Sequence, residues 1–219
     1  MTPRKKKPDD AALKAAIVDA ALPHVPFDGF TDKVLETAAK EAGADKDTLK
    51  RLFPEGALSL VEACSDFADG EMEKRLAALD LKAMKIRERI ATAVLTRIDV
   101  LRPQKEASRR AMAFLSLPPH IPLATKLLYR TVDAMWRAAG DTSTDFNFYT
   151  KRGILAGVYS ATLVRWFNDT TEDESATREF LAARIDNVMT FEKFKAEVTQ
   201  GLARLPSLSD VLANFARRT

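Results

Sequence analysis

The chain has 219 residues, 46% of them hydrophobic and 30% charged, with a formal net charge of +3, two histidines and one cysteine. This composition excludes a disordered polymer and a disulfide framework, and the net charge is too small to imply a nucleic-acid partner by itself. Glycine is scarce, with eight residues, no Asn-Gly or Asp-Gly pair joins two alternating apolar runs, and Ala, Leu, Lys, Arg and Glu dominate. Hairpins are hard to place in such a chain, and an all-α protein is expected.

The first ten residues, "MTPRKKKPDD", carry Arg4, Lys5, Lys6 and Lys7 but no apolar core, so residues 1–8 read as a disordered basic tail and not as a secretory signal. Residues 9 to about 22 pattern as a helix, with Leu13, Ile17, Ala20 and Ala21 on one face, ended by Pro23 and Pro26. Thr31 can cap a second helix carrying Val34, Leu35, Ala38 and Ala39, closed by Gly43. A short helix from about Asp45 to Phe53 stops at Pro54, and a long one follows with Leu58, Val61, Ala63 and Phe67. Helix, glycine turn, short helix, long helix: this order resembles the helix-turn-helix unit of TetR-type regulators, and "AAKEAGADKDTLKRLFPEGALSLVEA" follows their pattern in outline. Lys50 stands where that family has a tyrosine, and Gly56 where it has a lysine. Charge opposes DNA reading, which must neutralise phosphates with Lys and Arg. Between Asp9 and Leu60, ten carboxylates face six cations, although Lys46, Lys50 and Arg51 form a small local patch. A three-helix packing unit accounts for the same residues without nucleic acid.

A basic, charge-mixed helix is expected near 82–102 and another over 104–116, ended by the proline loop "LSLPPHIP". A third spans about 123–139 with Leu127, Leu128, Val132, Met135 and Trp136, and a fourth about 176–198 with Phe180, Leu181, Ile185, Val188 and Met189. After Gly201 and "LPSLS", Leu205, Leu208, Val211, Leu212 and Phe215 recur at three- and four-residue steps, with Arg217 and Arg218 largely to the other side. Such a short amphipathic helix can dock on its own domain, on another subunit or on a membrane surface. The chain therefore divides into a basic tail (1–8), an N-terminal helical region (9–78), a larger helical region (79–198), and a linker with an amphipathic helix (199–219).

No catalytic constellation emerges. His24 and His120 sit among prolines far apart, and there is no zinc or di-iron histidine motif, no phosphate loop and no cysteine pair. Cys64 reads as a small buried hydrophobe. Neither enzyme activity nor a cofactor is expected.

One stretch is unusual. In "FNFYTKRGILAGVYSATLVRWFNDTTED", residues 146–173, twelve uncharged residues from Gly153 to Val164 follow an aromatic and cationic cluster and end at Arg165, too short to span a bilayer. On a helix, Gly153, Ala156, Gly157, Ser160 and Ala161 form a small face, and Leu155, Val158, Tyr159, Thr162, Leu163 and Trp166 a bulky one. Two glycines cost about 1 kcal/mol each relative to alanine, which either close helix packing or room for an apolar ligand would offset.

This stretch, followed by "TREFLAARIDNVM", resembles the characteristic region of the ubiquinone-biosynthesis family of coenzyme Q protein nine, in its bacterial form. The "FYTKR" start, "GVYSAT", "NDTTED" and "FLAARIDNVM" stand in the family's order, and the resemblance covers roughly residues 10–195. It implies a TetR-like all-helical fold, a homodimer formed through the C-terminal helices, and no nucleic acid. It further implies an apolar pocket for an isoprenoid quinone or phospholipid, assigned here to Leu128, Met135, Leu155, Gly157, Val158, Tyr159, Thr162, Leu163 and Trp166. A di-iron demethoxyubiquinone hydroxylase is the implied partner, held by Asp145, Phe148, Tyr149, Lys151 and Arg152. Phe148 departs from the family's usual tryptophan and lacks its indole donor. Membrane contact falls to Leu208, Val211, Leu212, Phe215, Arg217 and Arg218, which implies a cytoplasmic protein held peripherally at the inner membrane.

Overall fold

The computed structural model describes residues 9–144 and 146–188, and the described chain is helical throughout its regular elements. The N-terminal helices begin where short polar side chains can take up free backbone donors. Asp9 accepts from the Ala11 amide at the head of α1 (Asp10–Ala21). The chain then makes a single helical turn, α2 (Val25–Asp28), with Pro26 in its first turn, where a missing amide proton costs nothing. Thr31 caps α3 (Asp32–Glu41) through the Val34 amide, 3.2 Å away, and Gly43 follows with φ at 74°. Asp45 caps α4 (Lys46–Leu52) through the Thr48 amide at 2.8 Å. The long α5 spans Ala57–Ala77.

Beyond it lie α6 (Ile86–Leu101), α7 (Lys105–Leu115), α8 (Ile121–Ala138), α9 (Phe146–Phe167), and α10, described over residues 175–188. Arg89 fastens the start of α6 to the end of α8, donating to the Ala139 and Met84 carbonyls at 3.0 and 2.9 Å.

Two apolar cores result. One gathers Ile17, Val34, Leu35, Phe53, Leu60 and Val61, joined by Ala107 and Leu127 from later helices. The other gathers Met72, Leu76, Ile90, Val94, Ile98, Val132, Met135, Leu155, Trp166 and Leu181. The N-terminal half of α5 enters the first core and its C-terminal half the second, so one continuous helix ties the two regions together. Each fully buried Leu, Ile or Met contributes about 1.5–3 kcal/mol.

Candidate ligand cavity and partner surface

Between the two cores, α1, α5, α6, α7, α8 and α9 leave a cavity of about 480 Å³. That is the size of a small-molecule site. The space exists because the α7 residues facing it are short: Ala107, Ser108 and Ala111 stop at or just beyond Cβ, and only Met112 and Leu115 reach further. Val18 of α1 and Leu22 just beyond its end, Val61, Cys64 and Phe67 of α5, and Leu127 and Leu128 of α8 supply further apolar wall. Phe67 and Ile121 border the cavity and are also solvent-exposed, which marks its mouth. The N-terminal region thus shares a pocket that the sequence assigned to the larger helical region. Burial pushes the Cys64 thiol up to about 12, which keeps it protonated and unreactive at neutral pH.

α9 brings Tyr159, Leu163 and Phe167 to the cavity at four-residue steps, with Ser160 beside them. Of the expected lipid-binding residues, Leu128, Tyr159 and Leu163 border it. Six others are placed elsewhere. Met135, Leu155 and Trp166 are buried in the second core; Thr162 is buried and donates to the Val158 carbonyl at 2.7 Å; Val158 packs against that core. Gly157 is exposed, and a Cβ built on it or on Gly153 would meet nothing within 4 Å. The Gly153 and Gly157 part of the small-residue face therefore points outward, away from the pocket, while Ser160 of the same face borders it. Gly157→Ala is expected to stabilise the fold by about 0.5–1 kcal/mol through helix propensity and to leave ligand binding unchanged, as thermal melts and lipid extraction will report.

Sequence patterning missed the buried cation at the cavity. Arg97 is only 4% exposed; its Nε donates to Asp69 at 2.9 Å, and its Nη2 to the Ser65 carbonyl at 3.4 Å. Thr131 donates to both oxygens of Asp69, at 2.9 and 3.1 Å. The available signal was the spacing of Ile90, Ala93, Val94, Arg97 and Ile98, which sets a cation inside an apolar helical stripe.

At the N-terminal end of α9, Tyr149 is 68% exposed and its ring meets Phe148 edge-on, with centroids 5.2 Å apart. Arg152 corrects the expectation of a contact surface, because it is buried at 3% exposure and its Nε and Nη1 are engaged within the protein. Its Nε donates to Asp133 at 2.7 Å, its Nη1 donates to Asp141 and to the Phe148 carbonyl, both at 3.1 Å, and its guanidinium lies 3.4 Å from the Phe148 ring centroid. Lys151 is half-exposed and donates to Asp141 at 2.7 Å and Ser143 at 2.6 Å, while Trp136 donates its indole proton to the Lys151 carbonyl at 3.1 Å. Arg152 thus fixes the aromatic pair in place, leaving Tyr149 as its presented side chain. Asp145 lies outside the described residues, as do the expected membrane-contact residues Leu208, Val211, Leu212, Phe215, Arg217 and Arg218.

Burial alone would raise the Asp141 carboxyl, but hydrogen bonds from Lys151, Ser143 and Arg152 outweigh it and hold the group down to about 2, from an ordinary 3.8. A depressed carboxylate stabilises the fold above its unfolded value and loses that stabilisation as protons bind. The stability advantage of the wild type over Asp141→Asn is therefore expected to be full above pH 4 and to vanish as pH falls from about 4 to 2, which chemical denaturation across that range will measure.

The "NDTTED" string builds the junction from α9 to α10. Asp169 accepts from the amides and hydroxyls of Thr171 and Thr177, bonds that hold its carboxyl well below the usual range. Glu174 accepts from the Trp166 indole at 2.6 Å and from Arg102 at 2.9 Å, pinning the junction to the α6–α7 corner.

These features define an all-helical protein of TetR-like fold. The chain superposes with a TM-score of 0.62 on the crystal structure of the TetR transcriptional regulator from Nitrosomonas europaea ATCC 19718, at 23% identity, covering 80% of this chain and 97% of that one. The COQ9 family model matches residues 121–192. "Ubiquinone biosynthesis protein COQ9, mitochondrial" of Rattus norvegicus is 34% identical over 183 residues, which is 81% of this chain and 59% of that protein. The proteins of that name from Homo sapiens and Drosophila melanogaster are 33% and 30% identical, covering 81% and 87% of this chain and 58% and 59% of their own length. The chain belongs to the COQ9 family. It spans about three-fifths of the length of the curated relatives it matches.

Proposed function

We propose that the chain is a lipid-binding protein of ubiquinone biosynthesis that holds an isoprenoid quinone intermediate and presents it to a di-iron demethoxyubiquinone hydroxylase. The observation that carries this reading is the largely apolar cavity of about 480 Å³ in a chain of the COQ9 family. A polyprenyl quinone is too apolar to reach a hydroxylase from the bilayer unaided, and each Å² of apolar surface sheltered in the cavity is worth roughly 25 cal/mol. No helix among the described residues is long and apolar enough to cross a membrane. Membrane contact is assigned to the segment from Leu208 to Arg218, which would keep the protein peripheral at the inner membrane on its cytoplasmic side.

Tyr149, held outward by the Arg152 cluster, is the centre of the hydroxylase contact, flanked by Phe148 and Lys151. The outward small face of α9 around Gly153 and Gly157 supports a homodimer formed through the C-terminal helices. Nucleic acid has no part in this reading: the N-terminal unit is acidic, and Arg51 is tied to Asp10 in an ion pair. Deleting the gene in its host should lower ubiquinone and accumulate demethoxyubiquinone. The wild-type gene should restore the profile and Tyr149→Ala should not. An unchanged quinone profile on deletion would overturn the reading.

A further inference from the structure

Arg97 borders the cavity in an unusual state. It is buried and two of its nitrogens are engaged, but Nη1 finds no hydrogen-bond acceptor among the described residues. A buried guanidinium donor left unmet is costly, so a bound molecule that supplies an oxygen there gains what the protein lacks. Charge then decides the class of oxygen. Asp69 already neutralises Arg97 at 2.9 Å, and Asp19 is the other charged residue among the described cavity walls. A carboxylate or phosphate head would bring in unbalanced negative charge, whereas a carbonyl accepts the proton without adding any. Tyr159 and Thr131 border the same cavity close to this ion pair. Burial raises the Tyr159 phenol above its ordinary value, so it stays protonated and can serve as a second donor to one carbonyl oxygen.

We infer that Arg97 is the head-group anchor of the cavity, donating from Nη1 to the neutral carbonyl oxygen of a lipid whose tail lies along the apolar walls of α5 and α7. The inference rests on the reading of the cavity as a lipid site and adds an orientation and a selectivity to it: neutral carbonyl lipids over fatty-acid anions and bare hydrocarbons. A quinone ring and an acyl ester both offer such an oxygen.

The test is displacement of a fluorescent lipid from the full chain by four probes of matched tail: a dodecyl benzoquinone, methyl laurate, laurate and dodecane. The wild type is expected to bind the quinone, the ester or both at least about tenfold more tightly than dodecane, and laurate more weakly than its ester. The tighter of the two carbonyl probes identifies the source. Replacing the ion pair with neutral residues, Arg97→Met together with Asp69→Asn, should remove the carbonyl preference and leave dodecane binding unchanged. Equal binding of all four probes by the wild type overturns the anchor while leaving the lipid cavity standing. So does laurate binding best, or a variant that loses dodecane as much as quinone. Binding of none of them overturns the cavity reading itself. The wild-type comparison decides the matter even where the double variant fails to fold.

Discussion

Replacing Arg152 with alanine is expected to cost about 3–5 kcal/mol of stability, the typical penalty for removing one partner of a buried ion pair. The reason lies in what remains. Asp133 and Asp141 both accept from this guanidinium, and the Asp141 carboxylate, 3% exposed, would keep only Lys151 as a cationic partner among the described residues. The Phe148 ring and carbonyl would also lose their contact. At about 2–4 °C per kcal/mol for a chain of this size, the melting temperature should fall by roughly 6–20 °C. Tyr149→Ala should change stability by no more than about 0.5 kcal/mol, since the side chain is mostly in solvent. Thermal denaturation of the two variants therefore separates the residue that builds this surface from the one that presents it. Similar losses in both would contradict the assignment.

The second large effect concerns the cavity. Ala111 lies on α7 with its methyl group at the wall, and Ala111→Trp would place an indole in the space a ligand needs. A lipid tail that forfeits about 100 Å² of buried apolar contact loses roughly 2.5 kcal/mol, more than fiftyfold in affinity. Filling an existing void should spare the fold, so the variant is expected to melt near the wild-type temperature while losing its lipid. Titration with a fluorescent lipid probe checks both the size and the sign. Unaltered binding in a folded variant would mean that the ligand lies elsewhere.

Much of the architecture was legible in the sequence because its signals are local. Thr31, Asp45 and Gly43 cap or close helices by contacts within a few residues, and Pro118, Pro119 and Pro122 mark the α7–α8 corner. The "NDTTED" string, a polar break between two helices and a family feature, proved to be a junction built on Asp169. What stayed hidden was which side of α9 faces in. Both of its faces are uncharged over twelve residues, so periodicity marks a helix without choosing a face. Gly157 was given to the pocket although it points outward, and Met135, Leu155 and Trp166 proved to be core. The pairing of Arg152 with Asp133 and Asp141, and of Arg97 with Asp69, joins residues 11 to 28 positions apart. Spacing cannot foretell such contacts before the helices are packed: Arg152, expected at a partner surface, and Arg97, one cation of a charge-mixed helix, are both buried ties. The wall contributed by α1 and α5 was missed for the same reason, since only tertiary packing brings Val18 and Cys64 to face Leu163.

We propose above that the cavity carries an isoprenoid lipid. Native mass spectrometry of the purified full chain, with organic extraction of the same sample, tests it most directly. The expected result is a co-purifying isoprenoid quinone, present in the wild type and in Gly157→Ala and absent from Ala111→Trp. A lipid-free wild type, or a quinone that persists in the plugged variant, would contradict it.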